Sequence, residues 1–154
     1  MTELTYKPRG LHFEDFEIGQ TLVTAARTIT EADIVRFAGL TGDFNQIHTD
    51  AEYATNGPFG QRVAHGLLVQ ACALGLAVQS GVIEGTVLAF RELSCKFSLP
   101  IFIGDTVHVK LEIVEKKALP RLGGGQIVMK YRILNQHEKA VQRGEWAMLV
   151  QSKE

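Results

Sequence analysis

Residues 65–81 read HGLLVQACALGLAVQSG. Leu67, Leu68, Val69, Ala71, Cys72, Leu74, Leu76 and Val78 spread around nearly the whole circumference of a helix, and a helix apolar on all sides is a buried one. The apolar run is shorter than the roughly 20 residues a bilayer span needs, so this helix belongs in a domain core. The C-terminal half supplies its cover, because there the period changes. In DTVHVKLEIVEK (105–116), Val107, Val109, Leu111 and Ile113 alternate with His108, Lys110 and Glu112. In QIVMKYRIL (126–134), Ile127, Met129, Tyr131 and Ile133 alternate with Val128, Lys130, Arg132 and Leu134. Trp146, Met148 and Val150 share one face of EWAMLV (145–150). Period-two alternation predicts strands, and antiparallel sheets with one solvated face read this way. TVLAFRELSCKF (86–97) and TLVTAARTI (21–29) are expected as two more strands. The fold class is α+β: an antiparallel sheet wrapped around one long buried central helix.

Between the first strand and the central helix the pattern is different. Thr30 opens TEADIVRFAGL, and Asp33 three positions on makes a capping box with Asp in place of the usual Glu. Ile34, Val35, Phe37 and Ala38 supply an apolar face, and Gly39 and Gly42 bound the helix. Residues 42–65 carry only a short helical candidate, DAEYAT (50–55), broken by Gly57, Pro58 and Gly60. A long irregular stretch inside a compact domain is often functional. LGGGQ (122–126) and NQHEKA (135–140) are expected as connections. No repeat or linker divides the chain, so residues 1–154 are expected as a single domain, with 1–11 an irregular N-terminal tail.

Hydrophobic residues make up 45% and charged residues 21% of the 154 residues, and the net charge is −1. That composition is ordinary for a globular domain and gives no electrostatic case for nucleic acid or a membrane surface. Cys72 and Cys95 alone do not make a disulfide framework. The N-terminal residues lack the apolar run of a signal peptide, and the expected location is the cytoplasm.

Two polar clusters fall in or at the end of the irregular stretch: TGDFNQIH (41–48) and VAHGLL (63–68). Asp43 can act as a base or hold a water, and the His48 imidazole can give or take a proton. Gly66 stands at the expected N-terminus of the central helix, where backbone N–H groups lack intrahelical partners and carry the positive end of the dipole. Such an N–H can stabilise a developing oxyanion, and a residue without a side chain lets a carbonyl approach. Together these groups suit attack of water on an activated carbonyl compound. Taken alone, each has a plainer reading. Asp43 and Asn45 are ordinary turn formers, His48 a structural histidine, and His65 a residue that precedes a helix.

The order of residues favours the chemical reading. FAGLTGDFNQIHTDAEYA (37–54), followed by FGQRVAHGLL (59–68) and FRELSCKFSLPIFIGDTVHV (90–109), resembles the MaoC-like, or (R)-specific enoyl-CoA hydratase, family. The family signature is similar to Gly-Asp-x-Asn-Pro-x-His followed by Ala-His-Gly, and the resemblance spans roughly residues 12–150. It implies a hot-dog fold, in which the sheet wraps the helix. It implies that Asp43 and His48 activate a water and move the proton at the α-carbon of a 2-enoyl thioester. It implies further that Asn45 organises the site and that the Gly66 N–H holds the thioester carbonyl. No metal and no separate cofactor is implied, coenzyme A being part of the acyl-CoA substrate. A homodimer, or a higher homo-oligomer built from it, with the substrate tunnel near the subunit interface is also implied.

Gln46 departs from the family pattern, standing where proline is usual. Phe59, Val63, Leu74 and Leu76 are candidates for an acyl tunnel as well as for plain core packing. Arg62, Arg91, Lys96 and Arg121 are candidates for the phosphates of coenzyme A, or ordinary surface charges. Asp43, His48, Asp50 and His65 match no tight metal-ligand spacing. Two other functions fit the same clusters: a hot-dog thioesterase using the same oxyanion donor, and a non-catalytic acyl-thioester binding module.

Overall fold

The computed structural model describes residues 2–153. Among the described residues, seven strands form a sheet in the order β1-β5-β6-β7-β3, with β2 pairing with β5 and β4 with β7. The strands are β1 (Thr21–Val23), β2 (Arg27–Thr28), β3 (Val87–Leu93), β4 (Lys96–Phe97), β5 (Thr106–Leu119), β6 (Gly124–Leu134) and β7 (Ala140–Gln151). Every pairing is antiparallel. The alternation seen in the sequence sets the register. Val107, Val109, Leu111 and Ile113 of β5, Ile127, Met129, Tyr131 and Ile133 of β6, and Trp146, Met148 and Val150 of β7 are all buried. Burying each such side chain contributes about 1.5–3 kcal/mol. Tyr131 and Trp146 stack with ring centroids 4.7 Å apart.

That apolar face wraps the central helix α4 (Gly66–Gln79), which buries Leu68, Val69, Cys72, Ala73, Leu76 and Ala77 in the same core. The helix is not buried all round, contrary to its apolar circumference. Leu67 is 61% exposed and Val78 is also exposed, because the sheet covers one side only. The helices before it are α1 (Glu31–Thr41), α2 (Gln46–Thr49) and α3 (Ala51–Thr55). On α1 the buried residues are Ile34 and Ala38, whereas Val35 of the expected apolar face is exposed.

Two expected single strands are each interrupted by a side chain that takes over a ladder bond. In TLVTAARTI the strand breaks at residues 24–26, where the Thr24 hydroxyl accepts the Val109 N–H at 3.0 Å. In TVLAFRELSCKF it breaks after Leu93, where the Ser94 hydroxyl accepts the Glu145 N–H at 2.9 Å and the Ser94 carbonyl accepts the Tyr131 hydroxyl at 2.9 Å. LGGGQ belongs partly to β6 rather than to a loop. Gly124 runs so close to β7 that a Cβ there would lie 1.9 Å from the Val150 carbonyl oxygen. Residues 2–11 form no helix or strand, but the Gly10 and Leu11 N–H groups donate to the Glu84 and Val82 carbonyls, each at 2.9 Å. Among the described residues, no helix is long and apolar enough to cross a membrane.

Candidate active site

The capping box at Thr30 is formed in both directions, the Asp33 N–H donating to the threonine hydroxyl and the Thr30 N–H to the Asp33 carboxylate. It starts α1, and Gly42 ends it in the left-handed conformation (φ 80°), which glycine adopts without a side-chain penalty. The chain then turns sharply at Asp43. The Asp43 N–H donates to the Thr41 hydroxyl and the Asn45 N–H to the Asp43 carboxylate, both at 3.2 Å. Asn45 caps α2, its side-chain oxygen accepting the Ile47 N–H at 3.4 Å. One turn later His48 points inward, 7% exposed.

The His48 ring is oriented by the backbone. Its Nδ1 lies 2.7 Å from the Val63 carbonyl oxygen. A carbonyl only accepts, so Nδ1 carries the proton and the Nε2 lone pair is free. His65 Nε2 lies 2.9 Å from the Asp43 carbonyl oxygen, so there the proton is on Nε2. The two imidazoles stack, centroids 3.8 Å apart and planes 25° from parallel.

Asp43, His48 and Gly66 line one cavity of about 570 Å³. A carboxylate oxygen of Asp43 and one nitrogen each of His48 and His65 all lie within 4.8 Å of one another. That spacing lets one water bond Asp43 and His48 together. Phe37, Ile47, Phe59, Val63, Phe97 and Leu99 give the cavity apolar walls. Gly66 begins α4, and the preceding His65 makes no side-chain cap bond, so the first-turn N–H groups at Gly66 and Leu67 border the cavity. The arrangement suits acid–base chemistry on a carbonyl compound, with an apolar space beside it for a hydrocarbon chain.

A metal fits the cluster poorly. The ring centroids lie 3.8 Å apart with planes 25° from parallel, a stacked pair whose in-plane lone pairs run side by side rather than converging on one point at the ~2 Å reach of a divalent ion.

A family model, the MaoC like domain, matches residues 14–129. The chain belongs to the MaoC-like family. A 3-hydroxybutyryl-CoA dehydratase of Methylorubrum extorquens is 39% identical over 107 residues, covering 70% of this chain and 66% of that protein. Protein MaoC of Klebsiella aerogenes is 39% identical over 109 residues, 71% of this chain and 32% of the relative. The chain thus spans just under two thirds of the first of these MaoC relatives and a third of the second. An R-hydratase from Pseudomonas aeruginosa in its unliganded form superposes with a TM-score of 0.78 at 31% identity, covering 94% of this chain and 88% of that one. The sheet around the helix is the hot-dog fold, and a Mycobacterium tuberculosis protein described as a double hot-dog superposes with a TM-score of 0.80 at 18% identity.

The four residues singled out from the sequence fall in two groups. Asp43, His48 and Gly66 meet at the cavity, whereas Asn45 is absent from its lining and holds the turn instead. Gln46, where the MaoC pattern has proline, is the first residue of α2. Proline is favoured at that position because its missing N–H has no intrahelical role, and glutamine fits the same place. Of the tunnel candidates, Phe59 and Val63 line the cavity and Leu74 and Leu76 do not. Arg62 pairs with Glu31 at 2.6 Å, and Arg91 donates to the Gln126 side chain at 3.1 Å. Gln142 on β7 escaped sequence reasoning. It is buried, lines the cavity and donates from Nε2 to the Gly66 carbonyl at 2.8 Å. A glutamine between Val141 and the polar Arg143, in a strand otherwise apolar inward, was the available signal.

Proposed function

We propose that the protein is an (R)-specific enoyl-CoA hydratase, or the reverse 3-hydroxyacyl-CoA dehydratase, using Asp43 and His48 as its acid–base pair. The observation that carries this reading is the placement of the Asp43 carboxylate and the His48 imidazole within 4.8 Å on the wall that Gly66 shares. The thioester carbonyl accepts the Gly66 N–H, which draws electron density from the double bond and makes the β-carbon electrophilic. A water held between Asp43 and His48 Nε2 gives a proton to the pair as its oxygen bonds to the β-carbon. The π electrons pass toward the carbonyl oxygen, and the resulting enolate collapses as the pair returns a proton to the α-carbon. The site ends in its starting protonation state. Run backward, the same steps eliminate water. Asn45 serves the reaction through the turn, its N–H on the Asp43 carboxylate.

No metal or separate cofactor enters these steps, and coenzyme A arrives as part of the substrate. The relatives named as a 3-hydroxybutyryl-CoA dehydratase and an R-hydratase support this reaction class. The protein is further proposed to act as a cytoplasmic homodimer. Leu67, Phe97 and Leu99 at the cavity and Leu88, Phe90 and Leu93 on the terminal strand β3 are exposed apolar side chains, and such patches mark association surfaces. A monomeric mass by light scattering at micromolar concentration would contradict the dimer. For the reaction, loss of enoyl-thioester absorbance across a panel from crotonyl-CoA to longer and branched enoyl-CoAs is the test. Release of free thiol from saturated acyl-CoA, without enoyl turnover, would replace this reading with a thioesterase.

A further inference from the structure

We propose that His65 is a positioning residue that holds Asp43 and His48 in register with each other. The inference rests on the acid–base role proposed for that pair. His65 touches both members by different forces. Its Nε2–H donates to the Asp43 carbonyl at 2.9 Å, tying the turn after Gly42 to the entrance of α4. Its ring forms a flat surface for the His48 ring at 3.8 Å, and Phe37 backs the same ring at 5.0 Å. Both histidines depend on one short segment: Val63 accepts from His48, and His65 follows two residues later.

His65 is 2% exposed, and its Nδ1 is buried with no hydrogen-bond partner among the described residues. An unpaired buried nitrogen is costly. Phenylalanine would occupy the same space between Phe37 and His48 without that cost. What phenylalanine cannot supply is the N–H to Asp43. The imidazole is therefore assigned to that bond, and the turn bearing the carboxylate is what the bond places. A carboxylate displaced by even an ångström from a shared water loses about a hundredfold in rate.

The test combines spectra of the wild-type protein with two variants. Long-range proton–nitrogen correlation of the imidazoles is expected to show the proton on Nε2 of His65 and on Nδ1 of His48. His65→Phe keeps a ring and removes the donor. Its kcat is expected to fall about a hundredfold with KM within about twofold and an unchanged melting temperature. His65→Gln keeps an N–H at a similar reach and is expected to recover most of that kcat. Undiminished kcat in folded His65→Phe would overturn the proposal, and so would a His65 proton on Nδ1. Wild-type protein that turns over no enoyl thioester would sink the hydratase reading. The tautomer, and a shift of the His48 resonances in His65→Phe, would still decide the positioning role.

Discussion

The Phe97 ring occupies the space that a side chain on Gly66 would need. A Cβ built on Gly66 would lie 2.3 Å from Phe97 Cε1. The residue at the start of α4 is thus fixed by its neighbour on β4 as well as by any carbonyl that approaches it. Gly66→Ala must push the ring aside, and because Phe97 is half exposed the cost is expected at the low end of core overpacking, about 1 kcal/mol. Denaturant titration is expected to show that loss. The double variant Gly66→Ala, Phe97→Ala is expected to regain most of it. Wild-type stability in Gly66→Ala would show that the ring yields freely.

Gln142, the register partner of Phe97, anchors the same turn through its bond to the Gly66 carbonyl. Gln142→Leu removes that donor while keeping the strand position filled. The expected loss is about 1 kcal/mol by chemical denaturation, the net worth of one ordinary hydrogen bond. An unchanged midpoint would mean that the helix holds its first turn unaided.

The capping box gives a pH-dependent prediction. Burial alone would raise the Asp33 carboxyl, but the Thr30 N–H and hydroxyl together with the Arg27 guanidinium outweigh it, holding the group below the usual carboxylate range. A depressed folded-state value means that ionised Asp33 stabilises the protein above its ordinary titration and loses that contribution as pH falls through the lower folded value. Thr30→Ala is expected to cost about 1 kcal/mol at neutral pH. Asp33→Asn is expected to be less stable than wild type at neutral pH, with the gap narrowing as acid protonates Asp33 in the wild type. A gap that widens in acid would contradict the assignment.

Thr30, Asp33 and Gly42 were legible because a capping box and a left-handed glycine are local devices, written within a few residues. The strands β5 and β6 were legible for a similar reason, since burying one face more than the other imposes a period of two, whereas Trp146 to Val150 of β7 are buried on both faces. What the sequence concealed depends on distant partners. Nothing near Ser94 announces that Glu145 and Tyr131 will claim its hydroxyl and carbonyl and split the strand. The exposure of Leu67 on α4 follows from where the sheet ends, which no periodicity encodes. At the site, Asp43, His48 and Gly66 could be named from spacing and family likeness. The parts played by Gln142 and His65 required the fold, because each acts across elements far apart in the chain.

The two cysteines are expected to differ in reactivity. Burial raises the Cys72 thiol above its ordinary range, partly offset by Arg27, whose guanidinium lies 3.2 Å from the sulfur. The thiolate is the reactive form, so Cys72 should stay inert while the fold is intact. Alkylation at neutral pH followed by peptide mass mapping is expected to label the half-buried Cys95 first and Cys72 only after unfolding. Equal labelling in the native state would show that the helix core is open to solvent.

Hydration at this site depends on Asp43 and His48 doing the chemistry. The most direct measurement is the rate of enoyl-CoA hydration by wild type and by Asp43→Asn, on the best substrate of the panel, with circular dichroism confirming that both are folded. Asparagine keeps the shape of the turn and removes the base, so the rate is expected to fall by about a thousandfold. A folded Asp43→Asn protein that hydrates the same enoyl thioester at the wild-type rate would contradict the central claim.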